Sequence, residues 1–465
     1  MPGKASNGER VQRAMSHDLI IIGGGTAGLG AARAATVHGA KPLLITDGPI
    51  GGDCTFTGCV PSKTLISESR RGTSFGEAIS RVHETIDTIA ATENADVLRS
   101  EGVDVVEGRG VIEAPGRVTV DGRSFSAKNI IIATGARPSI PPILGLDAVS
   151  YLTNETLFEL TSLPKRLGII GGGPIGCEIA LAFAGFGCDV TVIEAETRLL
   201  PNEEPDASDV IERAMGAANV SLQLGSFVAS VAQVSGGIGV VVDDSTFIVD
   251  ELLVATGRTA NTESFDLAEL GVKTDDRGNI EVDGRLRSSV KGISAAGDVT
   301  GLLPFTHAAY EQARLATFHA IKKGVRWKYD ASSTPWVTFT APEVARVGLT
   351  EAEAPPGAMV AHVPLDMVDR ALTERRTDGF VKLIAGPKSL TRSLFGGEII
   401  GATIVADRAG EMIHGPAMAA RLGMFVGRLA QVTVAYPTWT TGVQQAAGMF
   451  FEPVNGLTAR PARSS

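Results

Sequence analysis

Gly51-Gly52-Asp53-Cys54-Thr55-Phe56-Thr57-Gly58-Cys59-Val60-Pro61-Ser62-Lys63 holds two of the chain's 4 cysteines. Cys59 opens a helix predicted to run to about Arg70, with Pro61 in its first turn, where a missing N–H costs nothing. A thiolate at such a helix start is stabilised by the dipole. Four cysteines in 465 residues do not make a disulfide scaffold. The default setting is cytoplasmic, where a close cysteine pair is more often redox or metal chemistry than a staple. No second cysteine or histidine pair lies nearby, which argues against zinc. Cys54 and Cys59 therefore read as a redox pair, with two inert buried thiols as the plain alternative.

Toward the N-terminus stands a nucleotide unit. Asp18 to Ile22 is a continuous apolar run, the mark of a buried parallel strand. Gly23, Gly25 and Gly28 follow at G-x-G-x-x-G spacing. An Ala-rich helix is predicted from Leu29 to His38 and a second strand from Lys41 to Thr46. Such glycines let the backbone approach a pyrophosphate at a helix N-terminus. An acid at the end of the second strand would hold a ribose; Asp47 is the candidate, with Thr46 one residue off. Met1 to Ser16 is polar, has no apolar core of a secretory signal, and reads as a disordered lead-in.

Toward the C-terminus, residues 74–102 carry the spacing of one long amphipathic helix, with Ile79, Val82, Ile86, Ile89 and Val97 as apolar marks. Short strands follow over 103–133, ending in the turn Ala133-Thr134-Gly135. Pro138 to Gly145 reads as a domain crossing. A second nucleotide unit begins at Arg166, with a strand to Ile170, glycines Gly171, Gly173 and Gly176, a helix from Cys177 to Gly187 and a strand from Asp189 to Ile193. Glu194 stands where an acid binds ribose hydroxyls and repels a 2′-phosphate, which favours NADH over NADPH, although Arg198 is close. Ala255-Thr256-Gly257-Arg258 echoes the first turn, as a duplication would. Two units imply two dinucleotides, naturally FAD and NAD(P)H. Asp298, ending the run Ile293 to Gly297, is a candidate for a flavin ribityl hydroxyl.

From about Trp336, strands at Val337 to Phe339, Val347, Phe380 to Ile384 and Ile399 to Val405 precede helices at Glu411 to Met424 and Thr440 to Phe451. This suggests a separate α+β domain. The tail from Asn455 reads as loose. A net charge of −10 argues against nucleic acid. No apolar run reaches the roughly 18 residues of a membrane span. Glycine, at 55 residues, exceeds the usual share without a collagen period, so tight turns and close backbone approaches must account for it.

The Gly51–Lys63 stretch resembles the active-site signature of the pyridine nucleotide–disulfide oxidoreductases. The resemblance extends over both glycine loops, both Ala-Thr-Gly turns, Ala296-Gly297-Asp298 and Pro342 to Glu351. It implies an α/β fold with two Rossmann-like dinucleotide-binding domains and a C-terminal α+β interface domain. These are an FAD-binding domain over 17–150 and 281–330, an NAD(P)-binding domain over 151–280, and an interface domain over 331–465 that makes a homodimer. Cofactor contacts would come from the glycines above with Gly52, Thr134, Gly135, Asp298, Glu194 and Gly257. The resemblance further implies that Cys59 lies against the flavin, that Cys54 is the outer interchange thiol, and that Lys63, paired with Glu178, sits by flavin N5. NADH would reduce FAD, FAD the Cys54–Cys59 disulfide, and the pair a small disulfide or thiol-linked acceptor.

The match fails in the interface domain. Disulfide reductases of this family carry a His-Pro-x4-Glu motif there, the histidine serving as general acid–base. Here Tyr436-Pro437-Thr438-Trp439-Thr440-Thr441 puts Tyr436 in the histidine place and Thr441 in the glutamate place, and none of the 7 histidines lies beyond His414. Mercuric reductases share the tyrosine but end in a cysteine pair, and this chain has no cysteine after Cys188. Pro174 also replaces an aromatic that gates the nicotinamide pocket in many relatives. The alternatives to a disulfide acceptor are a soft metal ion, or a vestigial flavoprotein that passes electrons to quinones or serves in binding.

Overall fold

The computed structural model describes residues 15–263, 265–387 and 394–463. Most of the lead-in over 1–16 lies outside them; its last two residues already belong to the first strand, β1 (Met15–Ile22). The chain packs into two compact units.

The first unit is Met1–Gly52, Ala90–Arg137 and Thr259–Tyr329. Its sheet places β1 between β2 (Pro42–Thr46) and the strand Arg123–Ile132, all parallel, with Ile20 opposite both Leu43 and Ile130. Asp104–Glu107 extends it beyond β2, Ile293–Ala295 pairs with Arg123–Ile132, and an antiparallel hairpin, Val111–Ala114 and Arg117–Val120, continues the edge. Successive side chains of a strand face opposite ways. Leu19, Ile21 and Leu44 thus join one core with the alanines of α1 (Thr26–Val37), while Ile20, Ile22, Leu43 and Ile45 fill the other. Small residues let α1 lie close to the helix Thr306–Ile321: a Cβ on Gly30 would stand 2.8 Å from the Tyr310 ring.

The second unit is Asp53–Ile89, Pro138–Arg258 and Asp330–Ser465. It begins with the cysteine stretch, folded as α2 (Gly52–Phe56) and α3 (Cys59–Arg71). The predicted long helix over 74–102 is two helices, α4 (Phe75–Ala90), nearly all of it in this unit, and Ala95–Ser100, which belongs to the first. The break is chemical: the Asn94 side chain accepts from the N–H groups of Asp96 and Val97 and starts a new helix. Strands Ser221–Leu224, Asp189–Glu194, Arg166–Ile170 and Glu251–Val254 form a parallel sheet in that order. An antiparallel sheet runs Trp336–Thr338, Glu343–Gly348, Glu398–Ala406, Phe380–Gly386, Met359–Pro364, Arg460–Pro461. Its core takes in Trp439 from the turn before the last helix and Val443, Ala446 and Ala447 from that helix, Thr441–Gly448. The tail expected to be loose is pinned: Arg460 pairs in the sheet with Val360 and grips Glu351. Among the described residues no helix is long and apolar enough to cross a membrane.

Candidate active site and nucleotide loops

Gly58 turns the chain between α2 and α3. A Cβ there would lie 2.8 Å from the Asp53 carbonyl oxygen, so the loop between the cysteines folds tightly back on its own start. Cys54 is half-buried; Cys59, first residue of α3, is exposed. Lys63 follows Cys59 by one helical turn and so shares its face of α3. Its Nζ lies 2.8 Å from Glu178 Oε2, on the helix Pro174–Gly185. The Glu178 side chain is only 6% exposed, and its other oxygen accepts the Phe339 N–H at 2.8 Å. Both oxygens of a buried carboxylate are thus satisfied, as burial of a charge demands. Lys63 Nζ also sits 4.8 Å above the Phe339 ring. A cavity of about 340 Å³ opens here, lined by Lys63, Ile66, Ser67, Arg70, Arg71 and Phe339.

Sequence reading missed a second network. Asp53 Oδ2 accepts from Arg258 Nη2 at 2.5 Å. Its Oδ1 accepts from Asn154 Nδ2 at 3.1 Å and from the Thr57 hydroxyl. Asn154 and Arg258 lie about 100 and 200 positions from Asp53, so nothing local signals the contact.

The two glycine loops repeat one geometry. Gly23 has φ +116 and Gly171 φ +113, and a Cβ on either would strike a carbonyl oxygen, of Ala133 at 2.2 Å or of Ala255 at 2.5 Å. Gly28 and Gly176 likewise pack onto the carbonyls of Gly23 and Gly171. The middle glycines differ. A Cβ on Gly173 meets no described atom within 4 Å, and one on Gly25 meets only Gly52 Cα, at 4.0 Å. That open space lies at the N-terminus of a helix which no described side chain caps. Unfilled space beside unpaired N–H groups suits a pyrophosphate, so the residues present fit a dinucleotide at each loop.

Glu194 ends its strand against the second loop, Oε2 accepting the Gly172 N–H at 2.5 Å and Oε1 the Glu196 N–H at 2.8 Å. In the first loop the matching place belongs to Thr46, whose Oγ1 would stand 2.6 Å from a Cβ on Gly24; Asp47 is the next residue and exposed. Arg198 turns into its own loop, donating to the carbonyls of Glu203 and Pro201 and to Ser208 Oγ. Thr134 Oγ1 donates to the Asn261 carbonyl at 2.6 Å, and the Asn261 N–H returns a bond to Gly135 O at 3.0 Å. Asn261 thus clamps the first Ala-Thr-Gly turn. Gly257, at φ +131, forms the second. Asp298 is half-buried and opens a short turn after Ile293–Ala295.

Tyr436 is exposed, and its hydroxyl donates to Asp369 Oδ2 at 2.9 Å. That hydrogen bond and the carboxylate's charge push the phenol above its ordinary range. Thr441, in the glutamate place, begins the helix Thr441–Gly448. Cys177 and Cys188 are buried. Burial drives the Cys177 thiol far up and the Cys188 thiol to about 12. Among the described residues no group of three or more His, Cys, Asp or Glu side chains is arranged to hold a metal ion.

Two family models match the chain. "Pyridine nucleotide-disulphide oxidoreductase" covers residues 17–313, and the dimerisation domain of the same family covers 334–447. A mercuric reductase from Lysinibacillus sphaericus is 35% identical over 94% of this chain and 83% of its own length. An NAD(P)H dehydrogenase (quinone) from Mycobacterium tuberculosis is 32% identical over 92% and 93%. Among solved structures, the Cu(II) complex of the HOCl-induced flavoprotein disulfide reductase RclA from Escherichia coli superposes with a TM-score of 0.84 at 28% identity, covering 93% of this chain and 99% of that one. The family uses FAD and a pyridine nucleotide. With both nucleotide loops, the cysteine stretch and the C-terminal sheet in place, the chain belongs to the pyridine nucleotide-disulphide oxidoreductase family.

Proposed function

We propose that the protein is an NADH-dependent flavoprotein oxidoreductase in which Cys54 and Cys59 relay electrons to a small disulfide or thiol-linked acceptor. The carrying observation is the Lys63–Glu178 pair one turn behind Cys59: a buried carboxylate, held at both oxygens, fixes a cation on the same helix face as the sulfur. FAD, when bound, supplies two-electron exchange between the nicotinamide and the cysteines. Gly23, Gly25, Gly28 and Gly52 would cradle its pyrophosphate side, with Thr134, Gly135 and Asp298 as further contacts. Gly171, Gly173, Gly176, Glu194 and Gly257 would hold the nicotinamide coenzyme. In this reading 17–150 with 281–330 bind FAD, 151–280 bind NADH, and 331–465 join two copies. The NADH preference gains support from Arg198, whose guanidinium is engaged within its own loop rather than offered to a 2′-phosphate.

A second reading, a soft metal ion as acceptor, is favoured by Tyr436. A phenol bonded to Asp369 and pushed upward is a poor proton source at neutral pH, and reduction of a metal ion needs none.

Thiol counting tests the relay. Anaerobic holoenzyme given one equivalent of NADH and then alkylated under native conditions gains two labels, on Cys54 and Cys59 and not on Cys177 or Cys188. No gain in labels sinks the proposal. Adding glutathione disulfide, lipoamide, mercuric or cupric ions, or a quinone before alkylation identifies the acceptor by loss of those labels.

A further inference from the structure

We propose that Asp53 and Arg258 form a balanced charge pair that sets the redox equilibrium of the neighbouring Cys54–Cys59 couple, and that Thr57 and Asn154 fix it in place. The inference rests on the redox reading of the two cysteines. Asp53 directly precedes Cys54 and lies inside the glycine-framed segment that carries both sulfurs. Three side chains from separate stretches converge on its carboxylate: Arg258 Nη2 at 2.5 Å on Oδ2, Asn154 Nδ2 at 3.1 Å on Oδ1, and the Thr57 hydroxyl, also on Oδ1. Asn154 Nδ2 further reaches the Thr57 carbonyl at 3.2 Å, so one amide ties Asp53 to the middle of the intercysteine loop. The side chains of Arg258 and Asp53 are 19% and 35% exposed. At that depth a unit charge acts on its neighbours more strongly than on an open surface.

The physical consequence has a sign. A lone carboxylate beside Cys54 would disfavour its thiolate, and a lone guanidinium would favour it. Paired, they nearly cancel. Reduction breaks the Cys54–Cys59 bond and delivers two electrons and two protons to the sulfurs. With glutathione as reductant, two glutathione thiols give up those electrons and protons and join as one disulfide. At mildly alkaline pH part of the reduced pair is thiolate, so any charge left over shifts the equilibrium. Asp53 and Arg258 are positioning residues, since they act through the cysteines rather than on the acceptor.

The test equilibrates holoenzyme in glutathione buffers at pH 8, quenches with acid, and counts alkylated Cys54 and Cys59 by mass. Asp53→Asn raises the equilibrium constant for reduction about 3- to 10-fold, and Arg258→Gln lowers it by a smaller factor, because a pair that is only partly thiolate has only that fraction of charge stabilisation to lose. The double variant returns to within about twofold of the parent, as does Arg258→Lys, which keeps the charge. If both single variants move in the same direction, or neither moves, the pair is merely structural and the proposal falls. If the parent cysteines do not exchange with glutathione at all, the redox reading itself fails first, a different result from a parent that exchanges and variants that do not diverge.

Discussion

At the scale of single residues, Glu194 is the carboxylate that would choose the coenzyme in the proposed reading. It closes its strand by accepting the Gly172 N–H, which holds it at the rim of the second glycine loop. A ribose offering hydroxyls can take over those acceptor positions; a 2′-phosphate brings negative charge to them. Glu194→Ala should therefore cut kcat/KM for NADH about 10- to 100-fold, equivalent to about 1.4–2.7 kcal/mol, in steady-state assays. It should raise NADPH use little, because Arg198 stays bonded to Glu203, Pro201 and Ser208. An NADPH rate rising to match the parent's NADH rate would contradict this. Short spacing marked the two cysteines and Glu194 at a strand end, and the family resemblance pointed to Lys63 and its pairing with Glu178, a contact the structure contains. The contacts that back these groups were not legible. Phe339 meets Glu178 and Arg258 meets Asp53 across 161 and 205 positions, and only the folded chain decides such pairings.

Among the elements, what was misread is instructive. Apolar spacing carried one helix across residues 91–94, because periodicity does not register that Asn94 offers the backbone a competing partner. The strand Met359–Pro364 went unseen among flanking prolines and glycine. The terminal segment looked loose from its polarity, yet polarity is what binds it. Arg460 donates from both prongs to Glu351, and Arg463 N–H adds a bond at 3.0 Å. Burial opposes ionisation of Glu351, but these donors and the Lys382 charge outweigh it and hold the carboxyl at about 2, below its usual 4.5. A carboxyl depressed on folding adds stability that is fully present above its unfolded value and is lost as pH falls through the folded one. Arg460→Ala should therefore raise the midpoint of acid unfolding by roughly 0.5–1 pH unit. At neutral pH it should cost only about 1 kcal/mol, since the Arg460 side chain is a third exposed. Circular dichroism during acid titration reads the shift, and an unmoved midpoint would show that the tail is not held by this pair.

For the molecule as a whole, the match to a dimerisation domain gives exposed apolar residues a use. Met418 and Leu422 lie four positions apart at the end of the helix His414–Arg421 and are 61% and 72% exposed. Buried between two copies, they would contribute as interface anchors. We expect the parent to sediment at twice the chain mass and the Met418→Glu, Leu422→Glu variant to sediment as single chains at micromolar concentration, with an unchanged far-ultraviolet spectrum. An unchanged dimer would place the interface elsewhere. The division of the chain between Gly52 and Asp53 carries a separate lesson. The first nucleotide loop and the cysteine helix are neighbours in sequence, yet residues 53–89 pack with the later unit, through Leu65, Phe75 and Val82 in its core and through Glu178. Heredity by segment need not follow sequence order. A chimera that borrows a relative's first nucleotide fold should leave the cysteine helix behind with its host, cutting at Gly52 and rejoining near Ala90, or it will import a sulfur pair without the counter-charge that belongs to it.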